Sequence, residues 1–535
     1  MSPKLSDFER ELHAREQPRA PTPTAKHGAS PRAQAPVNGQ AKPAGSASPT
    51  SESLQGVAQL GKSMGLDPTQ VDRAVARVEA SRLVDLQGFT DTDIANAQRF
   101  AHRHGMDVRY TEATGWLSWD GARWCEDAKG LRVQARAKDT ALSIFDEVKT
   151  TDRRDELFKH AKRSQSRQAI ESMVTLARSE PGVLMRITDF DTNPMLLNVT
   201  NGTVDLGTGE LQRHKREHYI TRVTPIEYIP GAQCPLWERF LRRVLAEDQE
   251  LIAYMRRMVG YLLTGKTTEQ VLHFLHGGGK NGKTVFVETL LAVLGEYAVV
   301  ARPEMVMKRR HSGIPNDIAR LRGMRAVFMN ETNQGESFDE AKLKDLTGSD
   351  TLSARFLHQE FFDFPPTHKL MIRGNYKPVV NGTDEAIWRR MRLVPFGVEI
   401  PEYERDPELP AKLRKELPGI LAWAVQGCLE WQRDGLKPPA LIVDAVRAYR
   451  EESDTLGRFI ADHCDTSSKL SQVKSGVFFK RYQQFAETGG ERWLSNKELP
   501  YEMHRRGFEW KRTKESSVYL GIALRLDERE QWSDR

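Results

Sequence analysis

The stretch HGGGKNGKTVF, residues 276–286, contains the pattern G-x-x-x-x-G-K-[ST] from Gly277 to Thr284. A short apolar run, VLHFLH at 271–276, precedes it, and a helical pattern, TVFVETLLAVLG at 284–295, follows it. The pattern is informative only in this context, in which a loop joins a buried strand to the start of a helix. We therefore predict a phosphate-binding loop within an α/β fold.

The residue types of this loop suit phosphate binding. Glycine tolerates backbone angles that other residues resist, so backbone N–H groups and the helix N-terminus could turn towards the phosphates. Lys283 would reach the β- and γ-phosphates of ATP, and Thr284 would ligate Mg²⁺. The predicted cofactors are thus ATP and Mg²⁺, and the predicted contacts are Gly277, Gly278, Gly279, Lys280, Asn281, Gly282, Lys283 and Thr284.

Two further apolar runs, each typical of a strand, end in a polar residue. MRAVFMNE at 324–331 ends at Glu331, and HKLMIRGN at 368–375 ends at Asn375. A carboxylate at such a place could polarise the attacking water or hold the metal, and an amide could orient that water against the γ-phosphate. The simpler interpretations are a solvated glutamate and a turn asparagine.

A basic segment, DEAIWRRMRLVPF at 384–396, follows Asn375 and contains Arg389, Arg390 and Arg392. Arginines placed here could reach the nucleotide of a neighbouring subunit. On the residues alone, a basic helix face is the safer interpretation.

Composition and charge set outer bounds on the class of protein. A chain of 535 residues predicts roughly two to four domains. The net charge of +6 is compatible with nucleic acid but does not single it out. The scattered Cys125, Cys234, Cys428 and Cys464 form no C-x-x-C pair, which argues against a zinc ribbon and favours a reducing compartment. The lack of a disulfide framework also predicts a cytoplasmic location. Because no apolar run reaches about 18 residues, we expect no membrane span.

The ordered series of motifs resembles the superfamily 3 helicases of DNA viruses, phages and plasmids. Within them it is most similar to the phage/plasmid and poxvirus primase-helicase group. The resemblance rests on Asn281 before Gly282, and on the segments at 330–357, 364–396 and 417–439. It covers roughly residues 90–465 but includes no evident primase domain, so it points to the helicase part of such proteins.

The resemblance implies an AAA+-like P-loop motor with a parallel five-stranded sheet, assembled as a homo-hexameric ring with nucleotide at the subunit interfaces. By position it implies that Glu331 closes Walker B and ligates the metal with Thr284. Many relatives carry a second acidic residue where this chain has Asn330, so Mg²⁺ would depend more on Thr284, phosphate and water. The implied catalytic residues are Lys283, Glu331, Asn375 as sensor 1, and Arg390 with Arg389 as the arginine finger, Arg392 being the rival.

A β-hairpin is predicted over TLSARFLHQEFFDFPP at 351–366, with its tip near His358 and Gln359. In superfamily 3 rings a hairpin at this place projects into the central channel and grips the DNA backbone. Many relatives carry lysine at the tip, and here Lys342 and Lys344 are expected to add the missing charge. The alternative is an ordinary surface hairpin.

Composition and pattern shifts divide the chain into predicted domains. A basic, disordered Pro/Ala/Ser-rich tail is predicted first, because it lacks the apolar groups to form a core. The predicted ranges are 1–52 for this tail, 53–235 for an α+β domain of the primase-helicase type, 236–400 for the ATPase, 401–464 for a helical extension and 465–535 for a small winged-helix-like domain.

Together these observations predict an ATP-dependent replicative DNA helicase of a phage, prophage or plasmid that unwinds duplex DNA as a ring. Its expected partners are single-stranded or forked DNA, further copies of itself and other replication proteins, but no membrane. Two alternatives remain open. One is the helicase part of a primase-helicase, and the other is an ATP-binding origin-recognition or regulatory replication protein.

Overall fold

The computed structural model describes residues 89–150, 152–308, 316–330, 336–355, 361–380, 385–491, 493–513 and 516–525. It divides into two compact units. The first runs to Thr192 and includes His214–Thr221, and the second comprises Asn193–Arg213 and the chain from Arg222 onward. The predicted domain boundary at 235 therefore falls inside the second unit. The predicted tail at 1–52 lies outside the described residues.

The first unit combines helices with an antiparallel sheet of order β1-β2-β3. Its core packs Phe100 and Met173 against Val108 and Trp116. The first helix begins at Asp93, because the side chain of Thr92 accepts a hydrogen bond from the backbone N–H of Ala95 at 3.1 Å. Its elements are α1 (Asp93–His104), β1 (Val108–Thr111), β2 (Gly115–Trp119), β3 (Trp124–Glu126), α2 (Leu131–Glu147), α3 (Arg154–Ser164) and α4 (Arg167–Leu176).

The second unit starts with antiparallel strands that pair in the order β4-β5-β6. Two helices with apolar faces follow them. These elements are β4 (Leu196–Val199), β5 (Gly202–Asp205), β6 (Glu210–Gln212), α5 (Pro235–Val244) and α6 (Gln249–Leu262).

A parallel sheet forms the centre of the second unit, and among the described residues it has five strands in the order β13-β7-β12-β9-β8. This confirms the predicted five-stranded parallel sheet. Its strands are continuous apolar runs because both faces are covered. The elements of this part are β7 (Leu272–His276), α7 (Lys283–Leu294), β8 (Ala298–Ala301), α8 (Asn316–Ala319), β9 (Ala326–Asn330), α9 (Glu340–Thr347), β10 (Leu352–Ala354), β11 (Phe362–Phe364), β12 (Lys369–Gly374), α10 (Glu385–Arg390) and β13 (Met391–Pro395).

Helices and a small sheet of order β15-β17-β16 complete the unit. Phe459, Phe478, Tyr482, Met503 and Tyr519 form a separate small core at the C-terminal end. The elements are α11 (Leu409–Lys415), α12 (Leu417–Asp434), α13 (Ala440–Ser453), α14 (Thr455–His463), β14 (Cys464–Asp465), β15 (Gln472–Lys474), α15 (Ser475–Thr488), α16 (Leu499–Arg505), β16 (Trp510–Arg512), β17 (Ser517–Leu520) and β18 (Ala523–Leu524). Among the helices of the described residues, none is long and apolar enough to cross a membrane.

Helices α6 and α12 touch backbone to backbone. A Cβ atom on Gly260 would lie 2.0 Å from the backbone nitrogen of Cys428, and one on Gly427 would lie 2.1 Å from the carbonyl oxygen of Arg256. The two glycines therefore let the helices approach more closely than any side chain would allow. This contact packs α12 against α6 beside the central sheet.

Replacing Gly427 by alanine is expected to destabilise the second unit, because the added methyl group forces the two helices apart. Overpacking of this kind costs about 1–3 kcal/mol in free energy of unfolding. Denaturant unfolding followed by circular dichroism would measure the loss.

Gly476 in α15 offers a matched control, because a Cβ atom there would meet no atom within 4 Å. Gly476→Ala should leave the free energy of unfolding unchanged or raise it slightly. Identical unfolding curves for the two variants would contradict the close helix contact.

Candidate functional site

The glycine loop lies between β7 and α7, as predicted. Gly279, Lys280 and Gly282 adopt left-handed backbone angles, with φ of 101°, 51° and 86°. Backbone turned in this way directs successive N–H groups to one side, a geometry that suits an anion. Helix α7 begins at Lys283 directly after Gly282, which has no side chain to cap the N–H groups of the first turn. Those N–H groups can therefore serve a ligand.

The segment after β13 supports this loop from behind. A Cβ atom on Gly277 would lie 2.2 Å from the side-chain nitrogen of Asn281 and 2.3 Å from the carbonyl oxygen of Phe396. The Asn281 amide donates to that same carbonyl at 2.9 Å, and the N–H of Ile400 donates to the carbonyl of Lys280 at 2.9 Å. Sequence reasoning missed Phe396 and Ile400, because they act through their backbones and leave no side-chain signal.

Lys283 is only 7% exposed, and its ammonium group joins three segments of the chain. Its Nζ donates to the carbonyl oxygen of Gly277 at 2.7 Å, to Oδ1 of Asn281 at 3.1 Å and to Oδ1 of Asn375 at 3.2 Å. The structure thus brings together two side chains, Lys283 and Asn375, that lie 92 positions apart. A phosphate bound in the loop would compete with these neutral oxygens for the ammonium group.

His276, the last residue of β7, directly precedes the loop but is not among the predicted contacts. Burial lowers the pKa of its imidazole below the ordinary value, and the cations of Lys377 and Lys283 lower it further. The ring is therefore neutral near pH 7 and adds no charge to the loop.

The residues expected to hold a metal are only partly described. Thr284 is exposed in the first turn of α7. Glu331 lies outside the described residues, but the preceding Asn330 ends β9 opposite Arg373 of the neighbouring β12. In the described ranges no group of three or more His, Cys, Asp or Glu side chains could hold a metal ion. The hydroxyl of Thr284 nevertheless fits Mg²⁺, which takes oxygen ligands and usually binds through few protein groups, phosphates and water.

The three candidate arginines divide between a helix and a strand. Arg389 is exposed at the end of α10, and Arg390 donates to the carbonyl oxygen of Ala386 at 2.9 Å. Arg392 instead lies in β13, where its Nη1 donates to the carbonyl oxygens of Arg389 at 2.8 Å and Met391 at 2.9 Å. A basic helix face therefore describes Arg389 and Arg390 but not Arg392, because the helix ends at Arg390.

The strands of the predicted hairpin are present. β10 pairs with β11 in antiparallel register, with Leu352 opposite Phe364 and Ala354 opposite Phe362. The intervening chain is centred in sequence on residue 358, but His358 and Gln359 lie outside the described residues. Lys342 and Lys344 lie on α9, and Lys342 pairs with Asp339 at 3.1 Å.

The parallel sheet, the glycine loop after β7 and the helix that follows define a P-loop α/β protein. Two family models match the chain: D5 N terminal like over residues 97–246, and a family of unknown function, DUF5906, over 275–390. The chain carries these two domains and is homologous to viral proteins of the D5-like primase-helicase family. This confirms the resemblance to the primase-helicase group and is consistent with superfamily 3.

The relatives come from large viruses. "Putative helicase L207/L206" of Acanthamoeba polyphaga mimivirus is 26% identical over 54% of this chain and 32% of its own length. "Putative primase C962R" of African swine fever virus (strain Badajoz 1971 Vero-adapted) is 27% identical, also over 54% of this chain and 32% of its own length. "Putative helicase 022R" of Frog virus 3 is 30% identical over 40% of this chain and 24% of its own. The chain thus spans about a third or less of the length of these relatives.

Among solved structures, the apo C-terminal region of NrS-1 (305–718) is similar at a TM-score of 0.39 and 9% identity. The match covers 66% of this chain and 89% of that one.

Proposed function

We propose that this chain is an ATP-dependent DNA helicase motor that acts in replication. The observation that carries the proposal is the contact of Lys283 with Asn375 at the glycine loop, because it joins the phosphate-binding lysine to a polar strand-end side chain. The homology to viral proteins named as helicases and primases supports a role in replication.

The chain's own groups would divide the work of phosphoryl transfer. Backbone N–H groups of 277–284 would hold the phosphates, and Lys283 would offset charge on the β/γ-phosphates. Glu331 would polarise the attacking water, and Asn375 would orient it. Mg²⁺, held by Thr284 with Glu331, phosphates and water, would supply charge neutralisation when bound.

In an AAA+-like ring, a neighbouring subunit would complete the nucleotide site. Arg389 and Arg390 lie at the end of α10, next to β13, which is an edge strand of the sheet within the described part of the chain. Arginines at such an edge can face a neighbour's nucleotide. We propose a homo-hexamer, with Arg390 as the finger and Arg389 beside it.

DNA would be held at two places. One is the hairpin tip at His358 and Gln359, with Lys342 and Lys344 nearby. The other is the C-terminal part, whose order α14-β14-β15-α15-α16-β16-β17-β18 supports a winged-helix-like domain. Its strand β16 is exposed throughout and combines Trp510 with Lys511 and Arg512, so an aromatic ring and two cations share one strand. Such a surface suits a nucleic acid, because bases stack on aromatic rings and phosphates attract cations.

A second candidate is the helicase part of a primase-helicase, since relatives are named both as primases and as helicases and the chain spans only part of their length. A third, an origin-binding protein that uses ATP only to assemble, predicts ATP binding without DNA-stimulated turnover. Forked-DNA unwinding assays with ATP would separate the motor from the third candidate.

Lys283→Ala should abolish ATP hydrolysis and unwinding, because it removes the cation from the phosphates. Loss of one such electrostatic contact costs about 10²–10³-fold in rate. Glu331→Gln should keep ATP binding but lose turnover, because it keeps the shape of the side chain and removes its charge. Phosphate release and equilibrium ATP binding are the two measurements, and parental hydrolysis by either variant would show that its site assignment is wrong.

Arg390 should act on the nucleotide of a neighbouring subunit. Arginine fingers contribute roughly 10³–10⁵ in rate in other phosphoryl-transfer systems. Mixing Lys283→Ala with Arg390→Ala subunits should restore part of the turnover, because some interfaces then pair an intact loop with an intact arginine. Native mass spectrometry would establish that mixed rings form. Mixed rings as inactive as either parent would rule out Arg390, and recovery only with Arg392→Ala would move the finger to Arg392.

The double variant His358→Ala, Gln359→Ala should keep basal ATPase and hexamer formation. DNA stimulation and unwinding should fall, because a tip histidine can donate a hydrogen bond to a phosphate. ATPase rates with and without single-stranded DNA, together with a forked-duplex assay, give the readout. Unwinding at the parental rate would mean that the hairpin does not grip DNA.

A further inference from the structure

Helix α13 contacts two segments that the proposed motor uses. One is the loop after β12, residues 375–380, which begins with Asn375. The other is α10, which ends in Arg389 and Arg390. The contacts come from a single turn of α13, at Tyr449, Arg450 and Glu452. No motif marked this helix in the sequence.

Two of these residues hold the loop that carries Asn375. Tyr449 is 3% exposed, and its hydroxyl donates to the carbonyl oxygen of Pro378. Glu452 accepts a hydrogen bond from Nζ of Lys377 at 2.6 Å, and that ammonium group lies 5.4 Å from the centre of the Tyr449 ring. The loop is thus attached to α13 two and three residues after Asn375.

The same turn of α13 holds α10. The ring of Trp388 packs edge-on against that of Tyr449, with centroids 5.3 Å apart and planes at 87°. Arg450 donates to the two carboxylate oxygens of Glu385 at 3.2 and 2.6 Å. Trp388 directly precedes Arg389, so the buried ring contact lies next to the candidate finger.

Tyr449 is the shared element, because its ring contacts α10 and its hydroxyl contacts the loop. A displacement of the loop therefore acts on the helix that carries the arginines. The two ion pairs are exposed, with Glu452 59% and Glu385 72% accessible, so they set orientation and add little to stability.

We propose that Tyr449, Arg450 and Glu452 are positioning residues that couple Asn375 to Arg389 and Arg390. This proposal rests on the proposed function. When a γ-phosphate draws Lys283 away from Asn375, the loop shifts, and α13 passes that shift to α10. Each subunit thereby links the state of its own nucleotide to the arginines that it presents to its neighbour.

Tyr449→Phe is the first test, because it keeps the ring against Trp388 and removes only the hydroxyl donor. We expect kcat for ATP hydrolysis to fall about three- to tenfold, the effect of losing one hydrogen bond, while ATP affinity stays within about twofold. The Hill coefficient for ATP should fall towards one. Unchanged kcat and unchanged cooperativity would overturn the proposal.

A charge exchange is the second test. Lys377→Glu and Glu452→Lys should each lower kcat and cooperativity, because each places like charges together. The double variant should recover both, since it restores an opposite-charge pair. Asp406→Asn is the matched control, because Asp406 pairs with Lys412 at the same 2.6 Å on an exposed surface remote from these contacts in sequence. An effect of Asp406→Asn equal to that of Glu452→Lys, or a double variant without recovery, would refute a specific coupling.

Hydrogen exchange with adenylyl-imidodiphosphate separates this proposal from the proposed function. In the parent protein the analogue should protect α7, α10 and α13. In Tyr449→Phe it should still protect α7 but lose part of the protection in α10. Protection confined to α7 in the parent would overturn the coupling while leaving nucleotide binding intact. Absence of analogue binding would overturn the proposed function and the coupling with it.

Discussion

The arrangement of the site depends on the hydrogen bonds that the buried ammonium group of Lys283 donates. Removing a cation from water is unfavourable unless oxygens replace the lost hydration. Here Gly277 and Asn281 in the loop and Asn375 directly after β12 provide these oxygens. The strand order places β12 directly beside β7, so the sheet topology is what makes this set of partners possible.

The opposite end of the sheet is also anchored, here by buried basic side chains that donate to carbonyl groups. Arg325, just before β9, donates to the carbonyl oxygens of Leu263 and Leu196, and Lys369, at the start of β12, donates to that of Thr264. Burial holds the pKa of Lys369 well below its usual range, and the Arg325 charge lowers it further. Because Leu263 and Thr264 follow α6, these bonds tie the C-terminal end of that helix to the sheet. The close contact of α6 with α12 at Gly260 and Gly427 then adds α12 to the same packed layer.

Helix α13 connects this framework to the proposed activity. It packs beside β13 and holds both the loop after β12 and the helix that carries the arginines. At the C-terminal end of α13, Asp454 caps α14 and pairs with Arg506 at 2.6 Å. This ion pair connects α13 to the C-terminal part of the chain. The homology to viral proteins of the D5-like family supports the proposed role in replication, and the contacts of α13 are the basis of the proposed coupling between neighbouring subunits.

The sequence by itself determined the glycine loop with the strand and the helix that flank it, because glycine content and apolar periodicity act over a few residues. The family resemblance added the five-stranded parallel sheet, which is confirmed, whereas the roles of Glu331, His358 and Gln359 stay predictions. Only the tertiary structure decided that Asn375 touches Lys283, that Arg392 lies in a strand, and that Tyr449 bridges two distant segments. Phe396 acts through its backbone carbonyl, which every residue has, so no side-chain pattern could reveal it. Such contacts depend on strand order and helix packing, which short-range patterns do not encode.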